Sequence, residues 1–194
     1  MPEDRQTPLH LSKRFFDIAA AAVGLAITAP VMAVIAIAVR ATSSGPAIYR
    51  ASRIGLRGKP FTLYKFRSMR TTESSEGTRI TVAGDNRITG IGKLLRATKL
   101  DELPQLVNVM RGDMSIVGPR PPIPYEVEAY ELRHRKRLDM KPGLTGLWQV
   151  SGRNRLPFEE MVKLDLFYIE NWSLLFDLKI ILRTVLVMMR GDGY

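Results

Sequence analysis

The chain of 194 residues is 45% hydrophobic and carries a formal net charge of +10, which predicts one folded domain with a true core and an anionic partner. That partner can be nucleic acid, anionic lipid head groups or a phosphorylated small molecule. The chain has no cysteine, which excludes disulfides and thiolate metal sites, and its two histidines, His10 and His134, exclude a histidine-rich metal site. Any bound metal should be a hard cation with oxygen ligands.

The first predicted element is an apolar run from Ile18 to Val39 that contains no charged residue. It exceeds the ~7–15 residues of a signal-peptide core, and its length is typical of a membrane segment. Pro30 lacks an amide donor, and the Thr28 hydroxyl can donate to a carbonyl one turn earlier, so both favour a bend. Basic residues flank both ends, which fits a hairpin that enters and leaves by one face. On these features alone, a hairpin and a kinked spanning helix both remain open.

The remaining segments predict a mostly helical α+β fold with one small β-hairpin. The hairpin is expected between Ala47 and Met69, around a Gly-Lys-Pro turn. Helices are predicted at Ile91–Ala97, at a segment that carries Leu103, Leu106, Val107 and Met110 on one face and ends at Gly112, at Tyr125–Leu138, at Phe158–Ile169 and at Ser173–Met189. The apolar stripe of the last helix has two interpretations, core packing and a position in the membrane interface.

An acidic pair, Asp101 and Glu102, is the strongest candidate for chemistry. It stands at the predicted start of a helix, which Pro104 places to within a residue or two. Backbone N–H groups and the helix dipole stabilise negative charge there, so we expect Asp101 to stay ionised at neutral pH. An ordinary helix cap is the alternative interpretation. A carboxylate pair without a neighbouring histidine or cysteine suits a divalent cation that bridges to phosphate oxygens.

Basic side chains near this pair predict a phosphate site. Arg96 lies shortly before Asp101, and Arg120 lies in a proline-rich loop. Lys65 shares the basic face of a predicted strand with Arg67. Guanidinium groups on rigid backbone are preferred clamps for phosphate. Each arginine alone can be a solvated surface charge, whereas together these groups could surround a diphosphate.

Several quoted segments are more distinctive than any single residue. They are KRFFDI, the apolar run with Pro30, YKFRSM, LRATKLDELPQLVNVMRGDMSIVGPRP, KPGLTGLWQVSGRN and LDLFYIENWSLLFDLKIILRT. These motifs resemble the bacterial sugar transferase family, the monotopic phosphoglycosyl transferases, over nearly the whole chain. The resemblance implies a re-entrant helix-break-helix at residues 1–42, with the break at Thr28 and Pro30. It also implies a membrane-associated catalytic domain at residues 43–194 with interfacial amphipathic helices.

The resemblance further implies a reaction. Such an enzyme moves a sugar 1-phosphate from a nucleotide diphosphate sugar, with uridine as the expected nucleotide, to polyprenyl phosphate. By the same resemblance, Asp101 attacks the phosphate next to the sugar and forms a covalent phosphosugar ester. Glu102, together with Asp101, would hold Mg²⁺ beside the diphosphate. Further positions match family residues associated with phosphate binding, namely Lys65, Arg96, Arg120 and Arg153.

The implied location is the cytoplasmic face of the bacterial inner membrane, where the basic domain suits anionic lipids. Nucleic acid is not expected as a partner, because the basic residues are scattered and no nucleic-acid motif is present. A homodimer is one option for the oligomeric state, and the sequence identifies neither the sugar nor the glycan pathway. The rival functions are a membrane-anchored binding module without catalysis and a metal-dependent diphosphatase.

Overall fold

The computed structural model describes residues 8–70, 85–152 and 156–189. Its α-helices are α1 (Pro8–Thr42), α2 (Gly90–Thr98), α3 (Gln105–Arg111), α4 (Pro124–Glu128), α5 (Leu132–Arg135), α6 (Leu147–Ser151), α7 (Phe158–Glu170) and α8 (Leu174–Met189). Its strands are β1 (Ile48–Ile54), β2 (Pro60–Phe66), β3 (Ser115–Val117) and β4 (Gly143–Thr145). The structure is mostly helical with small sheets, which confirms the predicted α+β class.

Helix α1 continues through Pro30 as one element. The Thr28 hydroxyl donates to the Gly24 carbonyl at 2.7 Å, as the sequence predicts. The stretch Leu11–Thr42 is long and apolar enough to cross a membrane by length and composition. Because α1 is not divided at Pro30, the helix-break-helix topology stays a prediction, and so does the division of the chain after residue 42.

One face of α1 packs on the rest of the chain. Near its start, Ala21 belongs to a large apolar cluster that includes Leu106 and Val109 of α3. Near its end, Val39 packs with Phe66 of β2 and Leu95 of α2 in a second cluster. Burial of this apolar area is the main force that holds α1 in place. The other face is exposed, and its apolar residues are Leu11, Phe15, Ile18, Val23, Ile27, Val31, Val34 and Ile37.

Helix α8 also exposes much of its apolar stripe. Leu175, Leu178, Leu182 and Val185 of this stripe are exposed, whereas the opposite side of the helix buries Ile180. Core packing is therefore the wrong interpretation for these four residues. Exposed apolar areas of this extent on α1 and α8 are typical of surfaces that bind a partner or a membrane.

The predicted helix Tyr125–Leu138 is wrong as a single element. The structure has α4, then α5, and then a 3₁₀ turn at Lys136–Asp139. A new helix starts after Glu131, whose backbone N–H donates to the His134 Nδ1 atom at 3.3 Å. This charged segment has no continuous apolar stripe that could hold one long helix against the core, so local capping determines where each piece begins.

The β-hairpin is confirmed, and a second sheet is present that the sequence does not predict. Strands β1 and β2 pair antiparallel, while β3 and β4 form a short parallel pair. The parallel pair holds the loop that carries Arg120, because the Gly118 amide donates to the Thr145 carbonyl and the Gly143 amide donates to the Pro119 carbonyl. A Cβ atom on Gly143 would overlap the Gly118 backbone, so this close approach requires glycine.

Candidate active site

The acidic pair lies in a 3₁₀ turn between α2 and α3. Lys99 precedes the turn in the left-handed conformation, with φ of 60°, and redirects the chain after α2. Helix α3 begins at Gln105, directly after Pro104, which confirms the start that the proline predicts. Asp101 and Glu102 therefore precede the α-helix rather than cap it.

Asn108 holds α3 against β2 and so determines what faces the acidic pair. Its side chain is fully buried. The Oδ1 atom accepts from the Tyr64 amide at 3.1 Å, and the Nδ2 atom donates to the Thr62 carbonyl at 2.7 Å. These bonds satisfy backbone groups of β2 and place Lys65, the next residue on that strand, beside Glu102.

The ion pair between Lys65 and Glu102 is the first charged contact of the site. Their Nζ and Oε1 atoms are 2.8 Å apart, and both side chains are partly exposed. Burial raises the pKa of Glu102, but the charge and hydrogen bond of Lys65, together with Lys99 and Gln105, outweigh this effect, and the net shift lowers that pKa. Glu102 is thus held as a carboxylate, the form that binds a cation.

Asp101 is only 7% exposed, and its Oδ1 atom has no hydrogen-bond partner among the described residues. Burial raises the pKa of Asp101, the charge of Lys65 opposes this rise, and the charge of Glu102 adds to it. The pKa of Asp101 is therefore raised, whereas the sequence predicts that a helix dipole stabilises its charge. The difference arises because the carboxyl lies in the turn before the helix and is largely removed from water. An oxygen without a partner at this position is available to a substrate or a metal ion.

A cavity of about 780 Å³ opens over Asp101. The basic residues that line it are Arg50, Arg53, Lys65, Arg67, Arg70, Arg87 and Arg96. Only two lining residues of the described chain are acidic, Asp101 and Glu128. A concave surface with this excess of positive charge raises the local concentration of anions, and its volume suits a nucleotide-sized ligand.

The structure brings together part of the predicted site. Lys65, Arg96 and Asp101 line the cavity. Arg120 does not line it and lies beside Glu126, with an Nη1–Oε2 distance of 3.3 Å. Glu102 does not line the cavity, but its ion-pair partner Lys65 does. The other predicted positions are elsewhere: Thr28 and Pro30 belong to α1, and Arg153 lies outside the described residues.

Sequence reasoning places Arg67 on the basic face of Lys65, and both residues line the cavity, but it does not select Arg53. In the hairpin, Tyr49 pairs with Lys65 and Arg53 pairs with Phe61, so Arg53 shares the face of Lys65. The signal for Arg53 requires the strand register, which the pairing of β1 with β2 provides.

The oxygen atoms of Asp101 and Glu102 decide whether the acidic pair fits a magnesium ion. No group of three or more possible metal ligands occurs in the described part of the chain. Mg²⁺ is commonly held by one or two carboxylates, with water and substrate phosphates as the other ligands. Asp101, with its unpartnered oxygen, and the ionised Glu102 fit this requirement.

Comparison with known proteins identifies the family. The model of the family described as "Bacterial sugar transferase" matches residues 9–191. A galactosyl transferase of Streptococcus agalactiae is 45% identical over 94% of this chain and 43% of its own length. A UDP-glucose:undecaprenyl-phosphate glucose-1-phosphate transferase of Caulobacter vibrioides is 43% identical over 94% of this chain and 72% of its own length. An undecaprenyl-phosphate galactose phosphotransferase of Salmonella typhimurium is 43% identical over 93% of this chain and 41% of its own length. The chain thus spans less than half of two of these relatives, and it belongs to the bacterial sugar transferase family.

Proposed function

We propose that this chain transfers a sugar 1-phosphate from a UDP-sugar to undecaprenyl phosphate or a similar polyprenyl phosphate, as a membrane step of glycan assembly. Relatives of the chain are named as phosphotransferases of this type, and the chain is an enzyme of that class. One observation carries the proposal: Asp101 is buried and has an unpartnered oxygen, and it lines a cavity whose charged residues are mostly basic.

In the first step, a carboxylate oxygen of Asp101 attacks the phosphorus next to the sugar. A bond forms between that oxygen and phosphorus, and the bond to the oxygen of the nucleoside monophosphate breaks, so UMP leaves. The charges of Lys65 and Arg96 lie near the carboxylate and neutralise negative charge on the phosphates. Catalysis rests mainly on position and charge, as is usual for phosphoryl transfer.

In the second step, an oxygen of the polyprenyl phosphate attacks the same phosphorus. The bond between phosphorus and the Asp101 oxygen breaks, which restores the carboxylate and leaves a lipid-linked diphosphate sugar. One nucleophile in one cavity is sufficient for both steps, because the bonds that form and break in each step all involve the phosphorus atom next to the sugar.

The metal would be held by Glu102 and by the free oxygen of Asp101. Bound Mg²⁺ would neutralise charge on the diphosphate. Lys65 keeps Glu102 ionised in the structure, and a phosphate that takes over the ammonium of Lys65 would leave the glutamate oxygens available to a cation.

We place both ends of α1 on the cytoplasmic face of the inner membrane, and contacts at the two ends support a topology in which they share one side. Near the start, Arg14 donates to the Val109 carbonyl at 2.6 Å, and just beyond the end, Arg67 donates to the Ser43 carbonyl at 2.7 Å. These two contacts are separated by about 43 Å of helix, which exceeds the ~30 Å apolar core of a bilayer. One body could not contact both ends of a spanning helix from one side of a membrane, which supports the proposal that both ends lie on the same side. The exposed faces of α1 and α8 would contact lipid.

The topology is tested by labelling, which the natural absence of cysteine makes simple. We expect single cysteines placed by Gln6→Cys and Ser44→Cys to react only with reagent added on the cytoplasmic side. Reaction from opposite sides of the membrane would show that the helix spans it.

The covalent step is tested by intact-protein mass spectrometry. We expect the chain, incubated with Mg²⁺ and UDP-glucose or UDP-galactose without lipid, to gain the mass of one sugar phosphate at Asp101. The variant Asp101→Asn should gain none, whereas Asp139→Asn, which removes an exposed carboxylate, should gain as much as the unchanged chain. An equal gain in Asp101→Asn would exclude this nucleophile.

Addition of the acceptor lipid distinguishes a transferase from a diphosphatase. A transferase should release its sugar phosphate faster when undecaprenyl phosphate is added and should convert it to lipid-linked product. Release that is unaffected by the lipid would favour hydrolysis by water instead.

A further inference from the structure

Arg67 is a buried cation with unused hydrogen-bond donors. The residue is 6% exposed, and its Nη2 atom donates to the Ser43 carbonyl at 2.7 Å. Its Nε and Nη1 atoms have no partner among the described residues. The free energy cost of a buried donor without an acceptor is large, particularly for a charged group. The hydrogen bond to the Ser43 carbonyl satisfies one of its nitrogens and leaves the other two without an acceptor in the described chain.

These unused donors lie around the cavity of the candidate active site. Arg67, Arg96 and Asp101 all line that cavity, and each has at least one buried side-chain atom without a partner. Buried polar groups in folded proteins almost always have partners. The unpartnered nitrogens of Arg67 and Arg96 around one basic cavity indicate that an anionic ligand, rather than another part of the described fold, accepts their hydrogen bonds.

Arg67 lies at the end of the cavity that adjoins α1. The Ser43 carbonyl directly follows Thr42, the last residue of that helix. Phe66, the neighbour of Arg67 in the chain, packs against Ile35 and Val39 of α1. This wall of the cavity therefore rests on the part of α1 whose outer face exposes Val34 and Ile37. A phosphate attached to a lipid would reach the cavity first at this end.

A second group of basic residues lies at the far end of the hairpin. Arg53 pairs with Phe61, six residues from Arg67 along the strand direction, which corresponds to about 20 Å. Arg53 also lines the cavity. Burial lowers the pKa of Arg53, and the positive charge of the nearby Arg120 lowers it further. The cavity therefore offers separate cations to two different phosphate groups, and Asp101 lines the same cavity.

We infer that Arg67 binds the phosphate of the polyprenyl phosphate acceptor, while the nucleotide of the donor lies toward Arg53. This inference rests on the proposed function and adds the division of the cavity between its two substrates. Binding of the acceptor phosphate at Arg67 places its attacking oxygen on the side of the cavity that adjoins the membrane helix. The prenyl chain then needs no path through the protein to remain in lipid.

The test separates the two substrates kinetically. In Arg67→Met, we expect the KM for undecaprenyl phosphate to rise about tenfold or more, the effect of losing a charged hydrogen bond. The KM for the UDP-sugar should stay within about twofold. The rate of adduct formation at Asp101 without lipid should also be unchanged, and only transfer from the adduct to lipid should slow. Arg67→Lys, which keeps the charge but loses donors, should give an intermediate KM for the acceptor.

Two control variants remove the same charge elsewhere. Arg133→Met and Arg135→Met each remove an exposed arginine that does not line the cavity. Both should leave the KM for undecaprenyl phosphate near its original value. If both lower acceptor affinity as much as Arg67→Met does, general charge attraction is responsible and the inference fails.

A purely structural role for Arg67 predicts a different result. Adduct formation and lipid transfer would then slow together, with lower thermal stability, and this outcome would overturn the inference. So would an equal rise in the KM for the UDP-sugar, or no change in either KM. If Arg67→Met does not fold, Arg67→Lys is judged by the same criteria. Failure of the unchanged chain to form an adduct or a lipid product would instead refute the proposed function itself.

Discussion

Two buried aspartates of this protein, Asp101 and Asp177, have opposite surroundings. Asp177 is fully buried and accepts from the Lys13 ammonium at 2.7 Å, the Tyr168 hydroxyl at 2.6 Å and the Trp172 indole at 3.1 Å. Asp101 is almost as buried, but one of its oxygens has no partner in the described chain. The first carboxylate joins α1 to α8, whereas the second faces a basic cavity.

The lysine–carboxylate pairs of these two regions show the same difference. The Lys13–Asp177 pair is buried, and the Lys65–Glu102 pair of nearly equal length is partly exposed. A buried pair whose other hydrogen bonds are satisfied cannot exchange partners cheaply, so it holds structure. A partly exposed pair can release its lysine to an anionic substrate. The number of satisfied partners, and not burial alone, therefore distinguishes the aspartate that joins α1 to α8 from the proposed nucleophile.

The variant Asp101→Asn should produce the largest functional change. Because the amide cannot act as the nucleophile, we expect turnover to fall at least about a thousandfold. The free energy of unfolding should not decrease, since the replaced carboxylate is partly desolvated and unsatisfied. Steady-state formation of lipid-linked product and chemical denaturation measure the two effects. Near-normal turnover in this variant would contradict the chemical role of Asp101.

The variant Asp177→Asn should have the reverse effect. It leaves the Lys13 ammonium buried without a counter-ion, so we expect a loss of about 3 kcal/mol in the free energy of unfolding. Turnover per folded molecule should change little. The matched control is Lys163→Met, which breaks an exposed pair with Glu160 and should cost less than about 1 kcal/mol. Equal losses in both variants would show that burial of the Lys13–Asp177 pair has no special weight.

Glu102→Gln should change the metal requirement more than the fold. The amide lacks the charge that would attract Mg²⁺, so we expect the Mg²⁺ concentration for half-maximal activity to rise about tenfold or more. Excess Mg²⁺ should restore part of the turnover, which distinguishes this variant from Asp101→Asn. A titration of initial rate against Mg²⁺ measures the shift, and an unchanged half-maximal concentration would remove Glu102 from the metal site.

The smallest expected effect concerns the exposed stripe of α8. In Leu182→Glu, a charge replaces an exposed leucine, and we expect binding to anionic lipid vesicles to weaken several-fold because α1 still contributes most of the apolar surface. Leu132→Glu introduces the same charge on α5, where the leucine is 87% exposed, and should leave vesicle binding unchanged apart from the charge itself. Vesicle co-sedimentation compares the two, and equal weakening would place α8 away from the lipid surface.

Much of the local structure could be predicted from the sequence. Helix α3 begins after Pro104 and ends at Gly112, whose positive φ of 90° suits glycine, and both signals act over only a few residues. The hairpin follows from alternation and a turn. The parallel pair of β3 and β4 could not be predicted in this way, because strands of three residues carry too little pattern and their pairing is non-local.

The candidate site was only partly predictable for the same reason. The motif of Asp101, Glu102 and Lys65 predicts the chemistry, but not that one aspartate oxygen lacks a partner in the described chain or that Arg67 is buried in the wall of the same cavity. Those properties depend on which surfaces pack together, such as Asn108 against β2 and the end of α1 against Arg67. The sequence by itself determined the apolar helix, the acidic pair and the boundaries of α3, since each depends on neighbours in the chain. The tertiary structure alone decided the burial, the basic cavity and the contacts at both ends of α1, because desolvation and long-range contacts exist only after the chain has folded.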